Sequence, residues 1–300
     1  MAAVTVEYGL SNARSCKNAN NMSEHALQYR EIAPPGVLAD FVRCIWRLHG
    51  DPGRDHGGPP EPIIPDGCAE IVVNVGDPFI RHAAEGLSER QPLRLVAGQI
   101  TRALTLEPSG QIDIWGIRFH PWCAASFLGV SASELRDSVV SLDAVTRQFN
   151  DAFDPVADQK CEANAELSII EALTRRARNV KRPDAHILRL VAFASAGSET
   201  KSVGRLAREA GVSTRRIQAL FRDQVGLSPK QLLRVTRFQR ALRLARTRPT
   251  LSWGYIAQLA GFYDQAHLIH DSNAIAGCTP KELVRRDAPL TEVFLDKGST

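Results

Sequence analysis

A chain of 300 residues with 44% hydrophobic residues has an ordinary globular composition and room for two domains. It has no run of about eighteen apolar residues, so a membrane span is not expected, and Met1 to Leu10 lacks the basic start and apolar core of a secretory signal. The net charge of +4 conceals an asymmetry: residues 181–300 hold 20 Lys and Arg against 10 Asp and Glu, which leaves the first 180 residues net acidic. A polyanion is therefore the expected partner of the C-terminal part alone. Cys16, Cys44, Cys68, Cys123, Cys161 and Cys278 show no C-x-x-C spacing, a pattern of reduced thiols in a cytoplasm rather than of a disulfide frame or zinc site.

In chain order, residues 1–29 are polar and aperiodic and read as a disordered leader. From Ile32 to about Phe119 the pattern is β, with strands over Phe41–Leu48, Glu70–Val75, Leu93–Ala97, Leu104–Leu106 and Ile112–Phe119. Pro65-Asp66-Gly67 is a turn signal ahead of the second of these, and the Gly- and Pro-rich stretch Asp51–Pro62 reads as an exposed loop. Several short strands of this kind predict a small barrel or sandwich. Helices follow over Trp122–Leu128, Ser131–Leu135, Leu142–Phe149 and Asn164–Arg178, the last with Leu167, Ile170, Glu171 and Leu173 on recurring spacings. Asn179–Pro183 reads as a hinge, and a helix over Asp184–Ala196 opens the next domain.

Arg118 is a charge within an apolar strand, so it must be paired or face a cavity. A buried salt bridge with Asp66 or Glu70 and a ligand-binding role both fit. His49, His56 and His120 lie far apart with no carboxylate at a telling spacing and read as ordinary polar residues. No metal, cofactor or catalytic residue is expected.

The most informative stretch runs from Val203 to Arg286, where one unit is written twice. Ala207 and Gly211 recur as Ala257 and Gly261, and Gly226-Leu227-Ser228-Pro229-Lys230 returns as Gly277-Cys278-Thr279-Pro280-Lys281, about fifty residues on. Ser213 is matched by Asp264, one residue later in register. Each copy reads as a short helix, a glycine turn, and a second helix capped by Ser213 or Asp264. Ser228-Pro229-Lys230-Gln231 and Thr279-Pro280-Lys281-Glu282 are then two capping boxes, each with proline at the first helical position. Leu227 with Leu232, and Cys278 with Leu283, sit at the positions of a hydrophobic staple.

In Leu206-Ala207, Gly211-Val212-Ser213, Leu220-Phe221, Gly226-Leu227-Ser228-Pro229, Arg237 with Ala241, Ile256-Ala257, Gly261-Phe262 and Gly277 with Pro280, the last third of the chain resembles the AraC/XylS family of bacterial transcription regulators. The resemblance implies two helix-turn-helix units joined by one long helix, with two recognition helices entering successive major-groove segments on one DNA face. The run Gly261 to Ile269 is similar to a subgroup with an uncharacterised sensor domain in front. Trp46, Pro65-Asp66-Gly67-Cys68, Gly116-Ile117-Arg118-Phe119 and Pro121 resemble that front domain, which by analogy is a cupin-like barrel. The expected fold is thus α+β: a small N-terminal β-barrel or sandwich with flanking helices, then an all-α tandem helix-turn-helix domain. The domain limits are 30–180 and 184–286, with a leader over 1–29 and a tail over 287–300.

On the first recognition helix, Thr214, Arg215, Gln218 and Arg222 share one face, while Ile217, Leu220 and Phe221 form the opposite, buried one. Arg suits a guanine edge and Gln an adenine edge. The family pattern places Arg215 and Gln218 at base-reading positions, while Ala219 stands where a third, polar contact is common. Ser213, Arg216, Lys230 and Arg237 complete the DNA-binding candidates of the first unit and the linking helix. Leu232, Val235, Phe238, Leu242 and Ala245 are the linking helix's buried stripe, and the arginines from Arg234 to Arg246, spaced by three, wind around it. In the second unit the candidates are Gln265, His267 and His270. Ser272 and Asn273 stand where the repeat has Phe221 and Arg222, so this unit is expected to be the less stable one. Ser272→Phe is expected to stabilise it unless Ile269, Ile275 or Phe262 already closes the space.

The function these features imply is a one-component, sequence-specific transcription regulator in the cytoplasm, bound to double-stranded promoter DNA and answering to a small-molecule effector. RNA polymerase contact and a homodimer are expected partnerships. The alternatives are a metal-dependent cupin-type enzyme or a DNA-repair alkyl acceptor fused to this module, and an architectural DNA binder without a ligand. The alkyl acceptor needs a clustered, activated cysteine, which the sequence does not contain.

Overall fold

The computed structural model describes residues 4–7, 27–51, 58–83, 86–158, 162–182, 187–190, 202–286 and 290–291. Its N-terminal part is built on a seven-stranded antiparallel sheet. The strands are β1 (Val4–Glu7), β2 (Gln28–Ile32), β3 (Val42–Gly50), β5 (Glu70–Asn74), β8 (Arg94–Ala97), β10 (Ile112–Phe119) and β11 (Val139–Ser141), in the order β1-β2-β3-β10-β5-β8-β11. Strands β4 (Glu61–Ile63), β6 (Ile80–His82), β7 (Ser88–Arg90) and β9 (Leu104–Glu107) form a second sheet in the order β4-β9-β6-β7. Both orders run from edge to edge, so the sandwich is the form realised and the barrel is not closed.

The central strand β10 explains the layering. Alternation puts Trp115, Ile117 and Phe119 on one face, in a core with Ile45, Ile71, Val73 and Val96 and the helices that cover it. Its other face carries Ile112 and Ile114, packed with Trp46, Leu48, Ile63 and Phe79 toward the second sheet. Both faces are therefore buried, and the strand reads as a nearly continuous apolar run. Gly116 lies opposite Trp46 across the ladder. A Cβ there would fall 1.9 Å from the indole, so only glycine lets the ring lie flat on the strand.

The covering helices are α1 (Ala124–Leu128), α2 (Ala132–Leu135), α3 (Leu142–Val145), α4 (Arg147–Asn150), α5 (Asp154–Asp158) and α6 (Glu162–Ala177). The single helix expected over 142–149 is two, because Thr146 is extended (φ −161°, ψ 103°) and separates them. On α6 the buried stripe is Ala165, Ile169, Ala172, Leu173 and Ala177. Leu167, expected within it, is 57% exposed. Two other expectations need correction. Val4–Glu7, within the segment read as a disordered leader, pairs with β2, while residues 8–26 lie outside the described residues. The end of the expected 51–62 loop is strand β4, with Glu61 buried.

The C-terminal part follows the repeat. The first unit is α7 (Val203–Glu209) and α8 (Thr214–Gln224), the linking helix is α9 (Pro229–Thr247), and the second unit is α10 (Trp253–Ala260), α11 (Gln265–Ala276) and α12 (Pro280–Arg285). Gly211 (φ +64°) and Gly261 (φ +90°) are left-handed, as the turns require. Ser213 accepts from the Arg216 amide at 3.2 Å and Asp264 from the His267 amide at 2.7 Å. Both capping boxes are formed, with Ser228 and Gln231 in one and Thr279 and Glu282 in the other. Of the helix expected over 184–196, residues 187–190 are helical and the others lie outside the described residues.

Arg118 lies on the inner face of β10 with only 3% of its surface exposed. Its Nε is 2.5 Å from Glu70 Oε1 and 3.4 Å from Asp66 Oδ2. The same Glu70 oxygen accepts from the Trp46 indole at 3.3 Å. Breaking a buried pair from one side leaves the other charge stranded. Arg118→Met should therefore lower stability by about 3–5 kcal/mol in urea unfolding, and the double variant Arg118→Met/Glu70→Gln should lose less than Arg118→Met alone.

Candidate functional site

The first recognition helix presents the expected face. Ser213, Thr214, Arg215, Arg216, Gln218 and Arg222 are exposed, while Ile217, Leu220 and Phe221 are buried. Arg222 lies 3.1 Å from Asp223 on the surface. Lys230 is exposed in the first turn of α9.

The second unit divides its candidates. Gln265 and His270 are exposed. His267 is half-buried, with its ring edge-on to Phe262 at 5.3 Å and its Nδ1 accepting from the Tyr263 amide at 3.5 Å. Arg237 lies over Phe262 at 5.3 Å and 3.8 Å from Asp271 Oδ2. Its guanidinium is thus directed into the junction between α9 and α11, and desolvation lowers its pKa from the usual guanidinium value.

Asp271 was not singled out from the sequence, yet it holds this junction together. It is 4% exposed and accepts from Arg234 Nε at 2.8 Å, with Arg237, His267 and His270 at 3.6–3.8 Å. A shift of 51 positions maps it onto Leu220, and the same shift maps Ser272 onto Phe221. Where the first unit has Leu-Phe in its core, the second has Asp-Ser, and the two arginines from α9 supply the compensating charge. Ser272 is fully buried, and its hydroxyl donates to the Cys278 carbonyl at 2.7 Å. Tyr263, in the turn before α11, is 87% exposed and is a further residue that the sequence reading passed over.

A largely apolar cavity lies between the two sheets, the kind of lining that small-molecule sites have. Trp46, Leu48, Val72 and Ile114 line one wall, and Ile63, Phe79, Leu104 and Leu106 line the other. Leu290, after the second unit in sequence, closes part of it. Glu61 secures that residue by accepting from the amides of Leu290 (2.9 Å) and Thr291 (3.3 Å). Arg118 does not line the cavity, but its partners Asp66 and Glu70 do. Burial raises the Glu70 pKa above the usual carboxylate range, against the pull of Arg118.

One turn joins this cavity to the linking helix. The Pro65 carbonyl accepts from Gln239 Nε2 at 2.7 Å, and Asp66 Oδ1 accepts from the Cys68 amide at 2.8 Å. Gly67 has φ +82°, and a Cβ on it would fall 2.8 Å from Leu232 Cδ1. Ile64 packs into the core of the second unit with Phe238 and Leu242. Ile63, Ile64, Asp66 and Cys68 line the cavity from the same segment. Two further contacts join the parts: the Ala103 amide donates to the Ile275 carbonyl at 2.7 Å, and Gly226 sits against the Ala132 carbonyl.

Residues 206–286 match the model of a helix-turn-helix domain, and residues 30–141 match a domain of unknown function, DUF6597. The first match spans both capped units and the helix between them. It covers the part of the chain that resembles the AraC/XylS family. The helix-turn-helix match supports a DNA-binding transcription regulator. Among curated proteins none matches. Several solved structures are distantly similar to this chain. ToxT from Vibrio cholerae O395 is 9% identical, over 76% of this chain and 95% of that one, with a TM-score of 0.42. Unsaturated fatty acid bound wild-type ToxT from Vibrio cholerae strain SCE256 is 10% identical, over 80% and 94%, with a TM-score of 0.42. The AraC-like transcriptional activator CuxR is 11% identical, over 73% and 88%, with a TM-score of 0.32.

Among the described residues, no helix is long and apolar enough to cross a membrane, and no group of three His, Cys, Asp or Glu is placed to hold a metal ion. His120 stacks on Trp122, His49 lies on β3, and His56 is outside the described residues.

The buried serine reverses one expectation drawn from the repeat. Ser272→Phe should lower the melting temperature, because a ring at this fully buried position must displace its neighbours and removes the hydrogen bond to Cys278. Ser272→Ala should cost about 1–2 kcal/mol by leaving that carbonyl unpaired. Thermal melts of the two variants against the parent check both outcomes.

Proposed function

We propose that this chain is a one-component regulator in which a small molecule held in the sandwich cavity sets how the two recognition helices meet promoter DNA. The observation that carries this reading is the Pro65–Cys68 turn, which contributes to the cavity wall and touches α9 through Pro65 and Gly67. A molecule in the cavity touches the same few residues that seat the DNA-binding part, so occupancy and placement share one free energy. In this reading residues 30–180 sense and dimerise, residues 184–286 bind DNA, and residues 1–29 and 287–300 are leader and tail. The protein acts in the cytoplasm, and contact with RNA polymerase completes the response.

Arg215 and Gln218 are assigned to base edges, and Ser213, Thr214, Arg216, Arg222 and Lys230 to phosphates and nearby bases. Gln265 and His270 take the second groove segment. Arg237 and His267 support this surface from the α9–α11 junction. An alkyl-acceptor enzyme is disfavoured by the state of the buried thiols, since burial pushes Cys44 up to about 12 and raises Cys68 as well. That is opposite to the activation such chemistry needs.

The test begins with genome-wide mapping of bound DNA to obtain the operator. Arg215→Ala in the full chain should then cost roughly 1–3 kcal/mol on the operator and relax specificity at one base. Equal loss on operator and random duplex would reduce Arg215 to a phosphate contact. Gly67→Ala alters no DNA-facing residue, yet it should change operator affinity because its methyl group displaces Leu232 of α9. Unchanged affinity in a folded Gly67→Ala protein would remove the coupling from this reading.

A further inference from the structure

The walls of the cavity also constrain the chemistry of its occupant. Their surface is mostly apolar, and among the described residues it holds no Lys, Arg or His. Its charged groups are Asp66 and Glu70, both carboxylates. The guanidinium of Arg118 binds them at 3.4 and 2.5 Å but does not reach the cavity surface. A molecule inside therefore meets oxygen acceptors first, with the positive charge behind them. Gln91 adds an amide to the wall, and the Cys68 thiol lies beside Asp66.

An anionic head group placed there would face carboxylate oxygens in a poorly solvated space, where like charges repel far more strongly than in water. A head group that donates hydrogen bonds would find acceptors already fixed in place. Asp66 is held by the Cys68 amide and Arg118, and Glu70 by Arg118 and the Trp46 indole. Such fixed acceptors cost little reorganisation on binding.

Resting on the reading of this cavity as the effector site, we propose that its ligand is an apolar molecule with a cationic or neutral hydrogen-bond-donating head group, and that carboxylates of the same skeleton are discriminated against. Asp66 is the specificity-determining residue, because it lines the cavity and also belongs to the turn that holds α9. A donor that engages Asp66 competes with the Cys68 amide and Arg118 for its oxygens, which ties head-group recognition to the seat of the linking helix.

The experiment uses three probes with one skeleton, 4-phenylbutylamine, 4-phenylbutanol and 4-phenylbutyrate, titrated into the full chain by calorimetry. The amine and the alcohol should bind at least about ten-fold tighter than the carboxylate. Asp66→Asn should narrow the gap between amine and carboxylate, and Leu104→Trp, which fills the cavity, should abolish binding of all three. Circular dichroism and melting curves establish that both variants are folded, and the comparison of probes on the parent protein stands without them. Equal or tighter binding of 4-phenylbutyrate would overturn the proposed ligand class while leaving the cavity as an effector site. Binding of none of the probes, or binding undiminished in a folded Leu104→Trp protein, would overturn the effector reading and the ligand class with it.

Discussion

The arrangement of the two parts depends on one short turn, Pro65–Cys68, whose backbone and side chains are engaged in several directions. Pro65 gives its carbonyl to Gln239 on the linking helix, and Gly67 makes room for Leu232 on the same helix. Asp66 turns the other way, toward Arg118 and the cavity. The left-handed conformation at Gly67 cannot be held by most residues without strain, so the turn has little freedom to shift on one side alone. Interfaces of this kind move between discrete arrangements rather than deforming continuously. Arg118, buried against Glu70, reaches Asp66 as well and so ties the turn to the central strand of the larger sheet.

The two helix-turn-helix units are equal in backbone design and unequal in core chemistry. Caps, turns and boxes repeat faithfully, while Leu220-Phe221 in the first unit becomes Asp271-Ser272 in the second. The substituted pair brings polar partners of its own. Asp271 draws Arg234 and Arg237 inward, and Ser272 satisfies the Cys278 carbonyl. The second recognition helix is thereby tied to the linking helix by charge, where the first is held by aromatic and aliphatic packing. Breaking either buried polar contact from one side is costly, so the second unit depends on these partners.

Local signals made most of this legible in the sequence. Glycine turns, Ser and Asp caps and the two capping boxes act within a few residues, and they placed all six helices of the repeat. The longer strands of the sandwich were readable because burial on both faces of β10 leaves an apolar run. Strands β4, β6, β7 and β11 were not, since three residues carry no periodicity and Ser88-Glu89-Arg90 is exposed throughout. Thr146, which splits the helix expected over 142–149, gives no sequence cue stronger than its β-branched side chain. The site was half visible. The exposed, basic side of α8 followed from spacing, and Arg118 was recognised as needing Asp66 or Glu70. Gln239 and Asp271 were missed because their roles exist only once α9 has neighbours on two sides. Gln239, a polar residue next to the expected buried stripe, is the residue whose burial signals the contact with Pro65.

The most direct test of coupling through the turn is a double-mutant cycle on operator affinity, combining the cavity-filling Leu104→Trp with Gln239→Ala, which severs the bond to Pro65. Contacts that act as one unit give non-additive effects, commonly 0.5–3 kcal/mol away from the sum. The expected result is that Leu104→Trp changes operator affinity in the parent and that Gln239→Ala removes most of that change. Strict additivity in folded proteins, with the cavity substitution acting equally whether or not Gln239 holds the turn, would contradict it.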